Sequence, residues 1–207
     1  MLSISSAIIQ NIITLREKKL ASLAYFYCDF REEDKQSRRN LLTSILFQLS
    51  AQSNLGRDIL SRSYSTHDNG ALMPNGGVLT KCLKEMLTIP AQGHVYLIVD
   101  ALDECPNKSG MPTPREEVLG LVRDIVNLYL PNLHICVTSR PEIDIQAILE
   151  PFTPLHVSLH NQSGQKKDVV DYVSHVVCSD FLICGDGAMR TGGLLSRLSP
   201  KRLTECK

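Results

Sequence analysis

The chain has 207 residues, 43% of them apolar, and its 22 basic residues balance 22 acidic ones. That length allows one large domain, or one domain with an appendage, and a sizeable core. The balanced charge gives no reason to expect nucleic acid or an anionic membrane as a partner. No apolar run approaches the ~18 uninterrupted residues of a membrane span, so we expect a cytoplasmic protein without a membrane partner.

Seven cysteines are present, and none forms a CxxC pair. An odd number of cysteines, several within apolar runs, is typical of a reduced intracellular chain with buried thiols. Cys105 and Cys136 are therefore interpreted as core thiols. His175, Cys178 and Cys184 could be imagined as zinc ligands, but their spacing is loose and a fourth ligand is not evident, which argues against zinc.

In the first half of the chain, apolar periodicity predicts one strand and several helices. The predicted elements are a helix at 3–19, a strand at Ala21–Cys28, a helix at Ser37–Ser53, a short helix at Arg57–Tyr64 and a helix from Leu79 that is stopped by Pro90. A loop with Gly, Pro and Asn is predicted at Asn69–Gly77.

The most informative stretch is His94–Cys105, where the apolar run Val95–Val99 is followed by Asp100, Asp103 and Glu104. A short run rich in Val and Ile is typical of a strand that is buried on both faces of a parallel sheet. Carboxylates at the exit of such a strand cost solvation energy unless a cation or another positive partner lies there. At the carboxyl edge of an open α/β sheet, that cation is commonly the magnesium of a bound nucleotide.

The second half continues the alternation of strands and helices. Thr113 as N-cap, Pro114 and Glu116 form a capping box that predicts a helix ending before Pro131. The remaining predictions are strands at Leu133–Thr138 and Leu155–Leu159, and helices at Ile143–Leu149 and Gln165–Val177. This alternation predicts a three-layer α/β domain with a mostly parallel sheet.

Five segments in this order resemble one protein family, from about Ser5 to Asp180. They are AYFYCDF (24–30), LLTSILFQL (41–49), VYLIVDALDEC (95–105), LHICVTSRPEIDI (133–145), and the VSLH strand with the DVVDYVSHVV helix behind it. On these segments the chain resembles NACHT-type STAND NTPases, and most closely the fungal branch with a nephrocystin-3-like N-terminal module. The resemblance implies a P-loop NTPase-like fold.

The resemblance also implies roles for four residues at strand exits. Asp100 matches the Walker B aspartate that holds magnesium, usually through water. Asp103 and Glu104 match the acidic pair that orients or activates the attacking water. Arg140 matches the sensor arginine, whose guanidinium suits phosphate oxygens. The alternative is that the acids only solvate a loop and pair with Arg140.

One part of the family pattern is not found. P-loop NTPases hold phosphates with G-x-x-x-x-G-K-[ST], which in this family precedes a helix resembling Ser5–Ile12. The sequence begins at Met1 and contains no GK pair. We therefore expect the N-terminal strand and phosphate loop to be absent, and ATP or GTP with Mg to bind weakly or not at all.

The resemblance predicts an NTPase domain at 1–178 and a divergent tail at 179–207. The tail is expected to be disordered, or to be the family's continuation translated out of frame. The first interpretation is thus a fragment of a signalling NTPase whose parent activity is nucleotide binding and slow hydrolysis as an oligomerisation switch. The alternative is a non-enzymatic interaction or decoy module that associates with itself or with homologous NACHT proteins.

Overall fold

The predicted alternation of strands and helices is present in the structure, a computed structural model that describes residues 4–67, 70–90, 92–108 and 112–152. Over these residues it has a three-stranded parallel sheet and six α-helices. The strands are β1 (Ala21–Tyr27), β2 (His94–Asp100) and β3 (Leu133–Val137). The helices are α1 (Ile4–Glu17), α2 (Arg38–Ser50), α3 (Asn54–Thr66), α4 (Gly76–Leu87), α5 (Pro114–Val126) and α6 (Ile143–Leu149).

The apolar run that dominates the sequence forms the middle of the sheet. The strand order is β1-β2-β3, both neighbours of β2 are parallel to it, and Val95–Val99 are all buried. A strand between two parallel neighbours has no exposed edge, and helices cover its faces, so nearly every position favours an apolar side chain. The predicted α/β class and parallel sheet are confirmed for the described residues.

Helices contact both faces of this sheet. Val95, Leu97 and Val99 belong to a core cluster that also contains most of the buried apolar residues of α2, α4 and α5. The intervening Tyr96 and Ile98 are buried but lie outside that cluster, because successive side chains of a strand point to opposite faces. The apolar stripe of α1, which contacts β1 and β2, is buried outside the cluster as well, so α1 covers the second face.

The first helix ends two residues earlier than its predicted end at residue 19. Lys19 has a positive φ of 59°, the Lys19 N–H donates to Arg16 O (2.9 Å), and the Leu20 N–H donates to Leu15 O (3.1 Å). These two bonds form a Schellman motif, in which a left-handed residue closes the helix. Glycine usually occupies that position, so a lysine there gave no stop signal in the sequence.

Three further bounds differ from the prediction in the region between β1 and β2. The helix predicted at Ser37–Ser53 ends at Ser50, because Ser53 caps α3 by accepting from the Gly56 N–H (3.3 Å). As a result α3 is longer than the predicted Arg57–Tyr64. The predicted loop to Gly77 is also too long, since α4 begins at Gly76 behind Asn75, whose side chain accepts from the Val78 N–H (3.0 Å).

The elements after β2 follow the sequence more closely. The predicted capping box is present, with the Thr113 N–H donating to Glu116 Oε2 (2.8 Å) and the Glu116 N–H to Thr113 Oγ1 (3.2 Å). Helix α5 ends at Val126, before the predicted stop at Pro131, and α6 has the predicted bounds. The strand predicted at Leu155–Leu159, the helix at Gln165–Val177 and the tail at 179–207 lie outside the described residues.

None of the described helices is both long enough and apolar enough to cross a membrane.

Candidate functional site

The turn after β2, residues 101–104, carries Asp103 and Glu104 and is called the acidic turn below. It begins with an unusual backbone conformation. Ala101 has φ 55° and ψ 47°, in the left-handed region that residues with a Cβ rarely adopt. A 3₁₀ turn follows at Leu102–Glu104, and the Leu102 side chain is fully buried in the core. The chain therefore reverses sharply at the carboxyl edge of the sheet, which brings Asp103 and Glu104 back toward the exits of the neighbouring strands.

Asp100 is held by the strand beside it. Val99 pairs with Val137, so the next residues, Asp100 and Thr138, are neighbours at the end of β2 and β3. The Thr138 hydroxyl donates to Asp100 Oδ1 and accepts from the Ala101 N–H (3.0 Å). Among the described residues no donor contacts the second carboxylate oxygen, Oδ2, which therefore remains available to a ligand.

Asp103 is paired with Arg140. Asp103 Oδ1 accepts from the Arg140 N–H (2.9 Å), and Asp103 Oδ2 lies 3.4 Å from Arg140 Nε. The carboxylate is 9% exposed, whereas the arginine side chain is 79% exposed. The pairing alternative considered for the sequence therefore holds for Asp103. Because the backbone N–H and Nε make these contacts, the two terminal nitrogens of the guanidinium still face solvent.

Glu104 contacts the exit of β1. Its Oε2 accepts from the Phe30 N–H (3.2 Å). Cys28, two residues before Phe30, donates its N–H to Asp100 O (3.0 Å).

A second carboxylate at the exit of β1, that of Asp29, is bound by Arg31 through Nε (3.0 Å) and Nη2 (2.8 Å). These hydrogen bonds lower the pKa of Asp29 from its ordinary 3.8 to about 2.

A buried arginine hydrogen-bonds to the backbone of the acidic turn and of the residue after it. Arg115, in the first turn of α5, donates from Nη2 to Asp103 O (2.5 Å) and from Nε to Cys105 O (3.0 Å). Its Nη1 forms an ion pair with Asp144 at the start of α6 (3.2 Å). One buried guanidinium thus links the turn to two helices and fixes the position of the turn's backbone.

Two buried thiols meet beneath the same turn. Cys105 Sγ and Cys28 Sγ are 3.4 Å apart, and the two residues are 0% and 4% exposed. The hydrogen bond between them and burial both raise the pKa of Cys28, well above its usual range. The same hydrogen bond lowers the pKa of Cys105, against the opposing effect of burial. Cys105 lies in the core as predicted, while Cys136 is half-buried and burial raises its pKa.

The structure brings the four predicted site residues to one edge of the sheet, but it does not show a complete metal site. Among the described residues no group of three or more His, Cys, Asp and Glu side chains is arranged to hold a metal ion. Of the three predicted carboxylates, those of Asp100 and Glu104 each have one oxygen, Asp100 Oδ2 and Glu104 Oε1, that accepts from no other described residue. Hard carboxylate oxygens suit Mg²⁺, which usually takes one or two carboxylates and completes its octahedron with water and phosphate. The donor set therefore fits a magnesium–phosphate ligand and does not fit a cation held by protein alone.

A groove elsewhere in the described part of the chain does not contain these carboxylates. It has a volume of about 410 Å³ and lies along the outer side of β1, lined by Tyr25, Tyr27 and, on α2, Phe47. The carboxylates of Asp100, Asp103 and Glu104 therefore lie apart from this groove.

Two residues of the site were not singled out in the sequence. Thr138 is the last residue of the predicted strand Leu133–Thr138. Aligning the ends of that strand and of the predicted strand that ends before Asp100 would have shown that Thr138 neighbours Asp100. Arg115 gave a weaker signal, because a cation in the first turn of a helix is unfavourable for the helix dipole unless acceptors surround it. The sequence argued against a zinc site at three residues that lie outside the described part of the chain, His175, Cys178 and Cys184.

A family model described as "Nephrocystin 3, N-terminal" matches residues 3–140. The match covers every element from α1 to the exit of β3 and includes Asp100, Asp103, Glu104 and Arg140. Neither the curated proteins nor the solved structures that were searched gave a match to the chain.

Proposed function

The chain belongs to the nephrocystin 3, N-terminal family, with residues 3–140 matching its model, and we propose that this region is the core of a NACHT-type STAND nucleoside-triphosphatase module. The parent activity is ATP or GTP binding with slow hydrolysis, used as a switch for oligomerisation in signalling. The fungal assignment rests on the same sequence segments and is part of the proposal.

The observation that supports this function best is the convergence of charge at the carboxyl edge of two adjacent strands. Among the described residues, no donor contacts one carboxylate oxygen of Asp100 and one of Glu104, and no acceptor contacts the terminal nitrogens of Arg140. Carboxylates beside an exposed guanidinium match the two parts of a magnesium nucleotide, the cation and the terminal phosphate.

Each residue has a distinct task in this proposal. Asp100 holds the magnesium ion, directly or through water, with its carboxylate oriented by Thr138. Glu104 orients or activates the attacking water, and Asp103 keeps Arg140 over the edge of the sheet so that its guanidinium reaches a terminal phosphate. When bound, magnesium would neutralise charge on the phosphate oxygens.

The phosphate cradle is the part that these residues do not supply. A P-loop binds phosphates through backbone N–H groups and a lysine, and the 207-residue sequence contains no GK pair. Carboxylates and one arginine give little affinity for a tetra-anionic ligand without those donors. We therefore expect a protein of these 207 residues to bind ATP or GTP far more weakly than a complete P-loop site.

The cation half of the site can be tested alone, with Mn²⁺ as a paramagnetic substitute for Mg²⁺ in NMR spectra of the full chain. Amide signals around Asp100 and Glu104 should broaden first, and Mg²⁺ should reverse the effect by competition. Asp100→Asn should abolish the local broadening, whereas Asp58→Asn, an exposed aspartate on α3, should not. Broadening that ignores Asp100→Asn would refute the assignment of Asp100.

The nucleotide half is tested by isothermal titration of the full chain with ATP or GTP in the presence of Mg²⁺. We expect no binding in the micromolar range. Micromolar or tighter binding that disappears in Asp100→Ala would show that a phosphate cradle is present after all.

A second candidate function is supported by the outer edge of β3. The Val95 N–H donates to Asn132 O and the Thr138 N–H to Val99 O, so residues 132, 134, 136 and 138 face β2. The intervening Ile135 and Val137 direct their backbone groups away from the sheet and bond to no other described residue. Unpaired groups on an apolar strand are a template for another strand. In this function the chain is a non-enzymatic module that associates with a homologous chain, and co-purification with a longer homologue would support it.

A further inference from the structure

We propose that Cys28 and Cys105 are a redox modification site, at which a hydroperoxide converts the two thiols into a disulfide joining β1 to the acidic turn. The two sulfurs lie 3.4 Å apart. A disulfide bond is about 2.05 Å long, so the sulfurs need to approach by only about 1.4 Å. We expect rotation of the two side chains to supply this displacement.

The backbone on both sides of the pair is already fixed. The Cys28 N–H donates to Asp100 O (3.0 Å), which anchors the end of β1 to β2. The Cys105 N–H donates to Leu102 O (3.1 Å), and Cys105 O accepts from Arg115 Nε (3.0 Å). The two thiols are thus held facing each other by separate hydrogen-bonding networks. Of the four cysteines in the described part of the chain, these are the two in sulfur–sulfur contact.

The chemistry balances with one hydroperoxide per pair. One sulfur attacks a peroxide oxygen, the O–O bond breaks, and the products are a sulfenic acid and an alcohol, or water from hydrogen peroxide. The second sulfur attacks the sulfenic sulfur, the S–O bond breaks, and oxygen leaves as water with the remaining proton. The two thiols lose two electrons and the hydroperoxide gains them. A dithiol reduces the disulfide back to two thiols by thiol–disulfide exchange.

Burial restricts which oxidants can act. Both residues lie in the core cluster, so bulky disulfides cannot approach the sulfurs without unfolding, whereas hydrogen peroxide is close to water in size. The neighbouring thiol also captures a sulfenic acid before a second peroxide can oxidise it further. The site therefore favours one product, the intramolecular disulfide.

The bond would act on the acidic turn. Cys105 follows Glu104, and Cys28 lies two residues before Phe30, whose N–H donates to Glu104 (3.2 Å). A covalent link beside that hydrogen bond opposes separation of the turn from β1. Oxidation should therefore slow hydrogen exchange at the Phe30 amide at least several-fold. This consequence does not depend on nucleotide binding.

The test uses the full chain, reduced, desalted and treated with a small excess of hydrogen peroxide. Free thiols are then alkylated, and the protein is digested without reductant for mass spectrometry. We expect a linked peptide pair containing Cys28 and Cys105 that dithiothreitol separates. Two intact thiols, over-oxidised Cys105, or preferential linkage of either residue to another cysteine would each overturn the proposal.

Variants give an independent check. Cys28→Ala and Cys105→Ala should each lose the linked peptide and the peroxide-dependent protection of the Phe30 amide. Cys82→Ala is the matched control, because Cys82 is also a buried core thiol but lies away from the pair. If Cys28→Ala fails to fold, the peptide map of the unmutated chain still decides the proposal.

Discussion

At the scale of single residues, Thr138 determines which part of Asp100 a ligand can reach. The Thr138 hydroxyl donates to Asp100 Oδ1 and accepts from the N–H of Ala101. Ala101 is the residue with the strained left-handed backbone conformation. A threonine in β3 thereby orients a carboxylate in β2 and stabilises the turn that follows it. Partners of this kind, which orient a ligand's side chain, tune metal affinity in other proteins.

Thr138→Val removes the hydroxyl while preserving the shape of the side chain. We expect a loss of about 2 kcal/mol of folding free energy, because a charged acceptor and a backbone N–H both lose their partner. Urea unfolding measures the loss. Thr43→Val is the control, since Thr43 is exposed on α2 and its hydroxyl bonds only to its own helix. Equal effects of the two substitutions would show that Thr138 contributes nothing beyond local propensity.

The Asp29–Arg31 pair predicts a defined pH dependence. The folded-state pKa of Asp29 is lowered to about 2, so the pair's contribution to stability is fully present above the ordinary value of 3.8. It is lost as the pH falls from about 4 through 2, when the carboxylate takes up a proton. In Arg31→Gln the Asp29 titration, followed by NMR of its carboxyl carbon, should move up toward 3.8. An unchanged midpoint would show that Arg31 is not the cause.

The residues of the acidic edge differed in how far the sequence revealed them. Asp100, Asp103 and Glu104 follow a buried strand, and Arg140 follows the next one, so the parallel arrangement alone places them at one edge. Pairing with Arg140 was an alternative that the sequence left open, but which of the three acids forms the pair was not predictable. It depends on the left-handed turn at Ala101, and alanine gives no signal for that conformation.

At the scale of elements, the outer edge of β1 is closed by a helix. Gln48 accepts from the Tyr25 N–H (3.1 Å) and donates to Tyr25 O (2.7 Å). Gln52, one turn later on α2, does the same for Leu23, at 2.9 Å and 2.6 Å. Two amides at i and i+4 thus take the place of a neighbouring strand, because alternate residues of β1 turn their backbone groups outward.

Replacing both amides should open this edge. Gln48→Met together with Gln52→Met keeps the length of the side chains but leaves four backbone groups without partners. We expect a loss of about 2–4 kcal/mol in urea unfolding, at the magnitude of four modest hydrogen bonds. Light scattering should also show concentration-dependent association. Gln146→Met, on an exposed position of α6, should change neither, and a stable monomeric double variant would show that water satisfies the edge equally well.

Helix bounds were predictable where the chain carries specific caps. The Thr113 capping box located the start of α5 to the residue, because two reciprocal hydrogen bonds require Thr and Glu at that spacing. The start of α4 was missed because Gly76 and Gly77 are typical of a loop, and only the Asn75 cap shows that they form a first turn. Local sequence therefore defines a helix end well only when the end is built from side chains.

At the scale of the whole described unit, the sheet has one closed edge and one open edge. The parallel direction of the strands follows from the sequence, because helical segments long enough for a crossover separate them. Their order, β1-β2-β3, was not predicted. Which edge remains open does not follow, since the glutamines that close β1 look like ordinary polar positions of an amphipathic helix. The sheet can therefore be extended beyond β3 but not beyond β1.

Proline substitutions test this asymmetry residue by residue. Ile135 directs its N–H outward from β3, so Ile135→Pro removes no sheet hydrogen bond and should leave the folded chain nearly as stable. It should nevertheless block pairing with a strand from a homologous chain, because that strand loses a donor and meets the proline ring. Cys136→Pro is the matched control, since the Cys136 N–H faces β2 and its loss should cost ~3 kcal/mol or more.

The measurements are urea unfolding of each variant and co-purification of the unmutated chain and Ile135→Pro with a longer homologue. If β3 is the interaction surface, the Ile135→Pro protein remains folded but no longer co-purifies with the homologue. The Cys136→Pro protein neither folds stably nor co-purifies with the homologue. Retention of the homologue by a folded Ile135→Pro protein would place the contact elsewhere. Loss of folding in Ile135→Pro alone would instead show that another element already pairs with β3. The two substitutions differ by one position, so local β-propensity cannot account for opposite outcomes.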